Sequence, residues 1–139
     1  MKGVYVLLIE IKKPSTIKVG SLGNVSFNKG IYAYIGSAQN SLEKRIKRHI
    51  AKQKKLHWHI DYLTTKPFVD VFKVYFAQLD KSFEEKLSLH LSNFFPYVDN
   101  FGSTDSSAKS HLFFISKDDF PKFINELKKF SLEEYVISK

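Results

Sequence analysis

The chain has 139 residues, 43% hydrophobic and 15% aromatic, enough to bury one core and too few to bury a second of similar size. It has no cysteine, which excludes a disulfide framework and any thiolate metal site and leaves oxygen and imidazole as the available metal ligands. The net charge of +8 is lopsided: residues 1–66 hold 13 Lys and Arg against 3 Asp and Glu, whereas residues 67–139 hold 9 against 11.

No apolar run approaches the roughly 20 residues of a membrane span, and the N-terminus lacks the basic start and small-residue cleavage site of a signal peptide. The expectation is a single domain over residues 1–139, cytoplasmic and with no membrane partner.

Gly3 to Ile11 is almost continuously apolar and β-branched, which predicts a strand buried on both faces. Pro14 and Ser15 end it. Ile17–Val19 and Val25–Phe27 flank the turn-rich stretch Gly20 to Asn24 and predict a small hairpin. Gly30 to Gly36 alternates, with Tyr32 and Tyr34 on one face and Ile31, Ala33 and Ile35 on the other, predicting a second main strand.

Asn40 with Glu43 three residues on is a helix-start signature, and Leu42, Ile46, His49 and Ile50 continue at helical spacing, predicting a helix from about 41 to 53. On it Arg45 borders the apolar stripe and faces the sheet edge, while Arg48 points to solvent. These are the only two arginines beside 20 lysines. A guanidinium offers a rigid fork of donors that fits a phosphate, which a lysine point charge does not.

Between Lys44 and Lys55 there are seven basic residues and no acid, a density suited to a polyphosphate backbone. Lys44, Arg48, Lys52, Lys54 and Lys55, with His57 and His59 beyond them, are the residues expected to touch nucleic acid.

The periodicity of His57 to Leu63, HWHIDYL, decides neither helix nor strand. If the segment were extended, His57, His59 and Asp61 would share a face as a fragment of a zinc-hydrolase ligand set, but later partners for such a set are not evident. The other reading packs Trp58, Ile60 and Tyr62 and leaves the two histidines outward.

Val69 to Phe76 predicts a third strand. Ser82 with Glu85 predicts a helix with the stripe Phe83, Leu87 and Leu91, ending before Pro96. His111 to Ile115 predicts a short strand, and Ser116 a cap for a helix carrying Phe120, Phe123, Ile124, Leu127 and Phe130. Glu133 to Ile137 could add an edge strand. Ser103, Thr104, Asp105 and His111 lack the flanking sequence of a nucleophile elbow, and FGSTD reads instead as a turn near the active face.

Gly3-Val4-Tyr5, then Tyr34-Ile35-Gly36, then Leu42 to Ile46 with Arg45 and His49 following, resemble the ordered signature of the GIY-YIG nucleases. The hairpin accounts for the long spacing between the first two elements. Gly30-Ile31-Tyr32 also spells the first motif, but it shares a strand with Tyr34. GSLG, YAYIGSA, KRIKRH, HWHIDYL and FGSTD with SHLFF resemble a compact archaeal and bacterial branch of that superfamily, over roughly residues 3 to 115. Glu85, Ser106 and Ala108 stand where cysteines are often seen in that branch.

The resemblance implies an α/β (α+β) fold: a small mixed or antiparallel sheet of about three central strands flanked by helices, with a hairpin inserted between the first two motif strands. It implies a metal-dependent endonuclease that hydrolyses phosphodiester bonds in DNA more readily than RNA. Tyr5 would act as general base or water-orienting group, Tyr34 would position water or phosphate, and Arg45 would grip the scissile phosphate, with His49 beside it. Glu84 would hold Mg²⁺ or Mn²⁺; Leu87 follows it at the family's spacing, whereas Glu85 suits a capping role. Concerted double-strand cleavage would call for a homodimer or a partner protein. The competing reading from another class is a non-catalytic nucleic-acid-binding module with the same fold, and the third is a histidine-metal hydrolase.

Overall fold

The computed structural model describes residues 1–103 and 106–137. Thr104 and Asp105, which fall in the predicted FGSTD turn, lie outside the described residues. The first strand, β1 (Gly3–Ile11), is followed by the hairpin β2 (Ser15–Lys18) and β3 (Asn24–Phe27), then β4 (Gly30–Ala38) and helix α1 (Leu42–Ile50). After the short helix α2 (Asp61–Thr64) come β5 (Val69–Ala77), α3 (Ser82–Leu91), β6 (Leu112–Ile115), α4 (Phe120–Lys129) and β7 (Glu133–Tyr135).

Five strands form one antiparallel sheet in the order β6-β4-β1-β5-β7, and β2 and β3 pair separately as the predicted hairpin. The fold is therefore α+β, with β1 central.

Its continuous apolar run follows from that position, because alternate residues of β1 enter two different cores. Tyr5, Leu7, Ile9 and Ile11 pack with Leu42 and Ile46 of α1, Ile60 and Leu63, and the hairpin residues Ile17 and Phe27. Val4, Val6 and Leu8 pack with Leu87 and Leu91 of α3 and Phe123 and Leu127 of α4. The alternation in β4 sorts the same way: Tyr32 and Tyr34 join the first core, Ala33 and Ile35 the second.

Several local expectations are corrected. The cap of α1 is Ser41, whose hydroxyl accepts from the Lys44 amide at 3.2 Å, rather than Asn40. The helix stops at Ile50 because Ala51 turns extended and Lys54 folds back to donate to the carbonyls of Arg48 and His49, each at 2.8 Å, satisfying acceptors that a helix end leaves open. Helix α3 has no side-chain cap, and Glu85 accepts from the Ser107 amide at 3.2 Å instead of capping. Ser116 accepts from Asp119 in the turn before α4, which starts at Phe120. Segment 57–63 is a turn leading into α2, so the shared strand face of His57, His59 and Asp61 does not form. Among the described residues no helix is long and apolar enough to cross a membrane.

Candidate active site

A cleft of about 470 Å³ opens where β1 begins and β4 ends, with α1, α3 and two loops around it. Tyr5 and Tyr34 form its floor, Arg45 comes from α1, and Glu84 comes from the first turn of α3. Residues distant in sequence meet here because β4 runs antiparallel to β1 with Tyr5 opposite Gly36. The Tyr5 ring crosses that glycine so closely that a Cβ at position 36 would lie 2.5 Å from the phenol oxygen. The glycine of the YIG triplet is the space the tyrosine of the first motif occupies. Tyr32, from the competing Gly-Ile-Tyr, bonds the Asn28 carbonyl at 2.9 Å and does not line the cleft.

The Tyr5 hydroxyl lies 2.6 Å from Nε2 of His49, and both residues are 1% exposed. Nδ1 of His49 is buried with no partner among the described residues. Burial first, then the charges of Lys54, Arg45 and Arg48, lowers the His49 pKa to about 3 against the attraction of Asp61, so the imidazole is neutral. Burial raises the Tyr5 phenol above its ordinary range, although Arg45 opposes this, and Tyr34 is raised for the same leading reason. Neither tyrosine is ionised at neutral pH without help.

Arg45 donates through Nη1 to the Ser37 carbonyl at 2.8 Å, and its guanidinium carbon sits 4.5 Å from the Trp58 ring. Ser37 also donates through Oγ to Glu84 Oε1 at 3.2 Å. Burial pushes the Glu84 carboxyl above the usual carboxylate range despite that hydrogen bond and the charges of Lys81 and Arg45. A desolvated carboxylate with so few donors is a good fit for a divalent cation carrying its own waters. Among the described residues there is no group of three or more His, Asp or Glu placed to hold a metal ion.

The expected nucleic-acid residues divide. Lys44, Lys55 and His57 are exposed, and His57 lines the cleft mouth. Arg48 does not point to solvent: it donates from Nη1 and Nη2 to both oxygens of Asp61, at 3.0 and 2.9 Å, and to the Lys55 carbonyl. Lys54 is committed to the end of α1, and burial first lowers its pKa to about 8. Lys52 donates to the carbonyls of Lys66 and Val69. His59 accepts at Nδ1 from the Gly102 amide at 2.8 Å, joining the 57–61 turn to the loop after Val98 as one cleft wall.

Sequence reasoning missed Ser37, weighed Asp61 only as a metal ligand and Trp58 only as a packing residue, and gave His111 no place in the site. Ser88 donates to the Glu84 carbonyl, so its oxygen accepts from Nδ1 of His111 at 2.7 Å. That assigns the His111 proton to Nδ1 and leaves Nε2 an acceptor on a residue that lines the cleft. Burial lowers its pKa to about 4. Nothing local in SHLFF carried this; the signal needed was the proximity of α3 to β6.

A five-stranded antiparallel sheet, helices on both faces and a cleft at one sheet end holding two buried tyrosines, an arginine and a desolvated glutamate define an α+β protein with a polar cleft of mixed charge. The chain belongs to the family described as a domain of unknown function, DUF123, whose model matches residues 4–132. No curated protein and no solved structure matches it.

Proposed function

We propose that the protein is a metal-dependent phosphodiesterase of the GIY-YIG nuclease type, cutting nucleic acid, with DNA favoured over RNA. The observation that carries this reading is the convergence of Tyr5, Tyr34, Arg45 and Glu84, from β1, β4, α1 and α3, on one cleft. Taken singly, each is an ordinary packed or surface residue; together they supply what phosphodiester hydrolysis requires.

Hydrolysis needs a proton acceptor for the attacking water and compensation for charge developing on the phosphate. Tyr5 is not basic enough alone. With His49 neutral and accepting at Nε2, the Tyr5 hydroxyl is held in place and its oxygen can accept a hydrogen bond from the attacking water, which it orients. His49 resists protonation, so the water proton would leave to solvent and not through the imidazole. Tyr34 borders the same space and orients water or phosphate. Arg45 uses one donor on the Ser37 carbonyl, stands beside the Tyr5 phenol, and would turn its remaining donors to a phosphate. Glu84 would hold Mg²⁺ or Mn²⁺, which when bound would neutralise phosphate charge as a Lewis acid. The exposed Lys44 and Lys55 would add a sequence-independent attraction for the backbone.

The test is cleavage of a panel of labelled single-stranded, duplex and branched DNA and of RNA, with Mg²⁺, Mn²⁺ or EDTA. Cleavage that EDTA stops and that Arg45→Ala and Glu84→Ala abolish supports the reading. Binding by the wild type without cleavage under every metal would replace it with the non-catalytic module.

A further inference from the structure

Both arginines of the chain lean on one indole. The guanidinium carbons of Arg45 and Arg48 each lie 4.5 Å from the Trp58 ring. Two like charges on one ring would repel each other, but the Arg48 charge is matched by the Asp61 carboxylate, whose side chain is 0% exposed. That carboxylate also accepts from the amides of His57 and Trp58, each at 2.9 Å. Asp61 therefore anchors Arg48 and the Trp58 backbone together, and the ring's negative face remains to attract Arg45. The second hold on Arg45 is the Ser37 carbonyl, on the strand that forms the cleft floor.

We propose that Trp58 is a positioning residue that fixes the Arg45 guanidinium in the orientation that grips a substrate phosphate, and that Arg48 with Asp61 braces Trp58 instead of contacting nucleic acid itself. This rests on the phosphate-gripping role given to Arg45 above. A long side chain held at two points has little rotamer freedom left to lose when the anion arrives, so the brace improves affinity and orientation without touching the substrate. The HWHIDYL segment thereby has a role in the cleft, since its tryptophan and aspartate are the two parts of the brace and its alternate residues are not a ligand set.

The test exploits the arginine count. With Arg45 and Arg48 the only arginines, a ¹⁵N spectrum of the guanidinium Nε–H groups holds two signals, and the heteronuclear NOE of each reports how tightly it is held. Both are expected to be rigid in the wild type. In Trp58→Leu the Arg45 signal loosens while Arg48, still paired with Asp61, stays rigid, and Trp58→Phe restores part of the order.

Affinity for a labelled single-stranded DNA oligonucleotide falls about five- to thirtyfold in Trp58→Leu. Arg48→Lys, which keeps the charge but loses the fork, weakens binding similarly, whereas a contact made by charge alone would survive it. Backbone amide spectra establish that each variant folds, and Trp58→Phe carries the test if the leucine does not. An Arg45 signal as rigid in Trp58→Leu as in the wild type would overturn the proposal. So would undiminished affinity in Trp58→Leu where Arg45→Ala has lost it. Wild-type affinity in Arg45→Ala would instead sink the phosphate role on which the proposal rests.

Discussion

The crossing of Tyr5 over Gly36 sets the tolerance of the site at single-residue scale. Gly36→Ala places a methyl group 2.5 Å from the phenol oxygen, and the only relief is to move the tyrosine away from His49. Urea unfolding of this variant should show a loss of about 1–3 kcal/mol, the usual cost of overpacking a filled interior, and cleavage should fall with it. Glu84 predicts the opposite pairing of effects. Its carboxyl is held above the usual range by burial, so ionisation at neutral pH works against the fold. Glu84→Gln should keep or raise the thermal midpoint in a melt without metal while abolishing cleavage, separating a functional carboxylate from a structural one.

At the scale of elements, most of the fold was legible and much of the site was only half so. The two-faced burial of β1, the alternation of β4 and the hairpin follow from period-2 patterns and turn residues, and the structure shows all three. Glu133–Tyr135 pairs with β5 as an edge strand, shorter than the stretch to Ile137 allowed. The 57–63 segment could not be read because a tertiary contact, not periodicity, decides it: Asp61 turns inward to Arg48 and gathers the amides of His57 and Trp58. The outward reading of Arg48 failed for the same reason, since helical geometry fixes its angle round α1 but not what α2 brings to meet it. Lys52 and Lys54 carried charge in a basic run, and sequence alone could not say that backbone carbonyls use it.

That inward aspartate makes its own prediction. Asp61→Ala strips the buried partner from Arg48 and from two amides, a class of change that costs about 3–5 kcal/mol. Chemical denaturation should show the loss. A change of less than about 1 kcal/mol would mean that the pair is solvated.

At the scale of the whole molecule, the buried histidines tie stability to pH. In the unfolded chain His49 and His111 titrate near the ordinary value of about 6.5, but in the fold burial lowers them to about 3 and about 4. The unfolded state therefore binds more protons throughout the interval between. Their contribution to stability is fully present above about pH 6.5 and is lost progressively as pH falls toward the folded values. Denaturant midpoints taken from pH 7 down to pH 4 should decline, and His111→Gln should flatten part of that decline.

The charge asymmetry works at this scale too. The surplus lies in the half that supplies α1, yet Arg48, Lys52 and Lys54 are internally engaged, so fewer cations than the count suggests are free for a phosphate backbone. Lys44 and Lys55 are exposed, and charge removal there should weaken binding alike across DNA sequences.

The proposed chemistry is tested most directly by the single-turnover cleavage rate of a labelled DNA substrate in Mg²⁺ or Mn²⁺, compared among the wild type, Tyr5→Phe and Glu84→Gln. The expected result is metal-dependent cleavage by the wild type and a loss of at least about a hundredfold in each variant, the order of effect seen when an acid–base group is removed, with substrate still bound. Cleavage that persists undiminished in Tyr5→Phe and Glu84→Gln would contradict it.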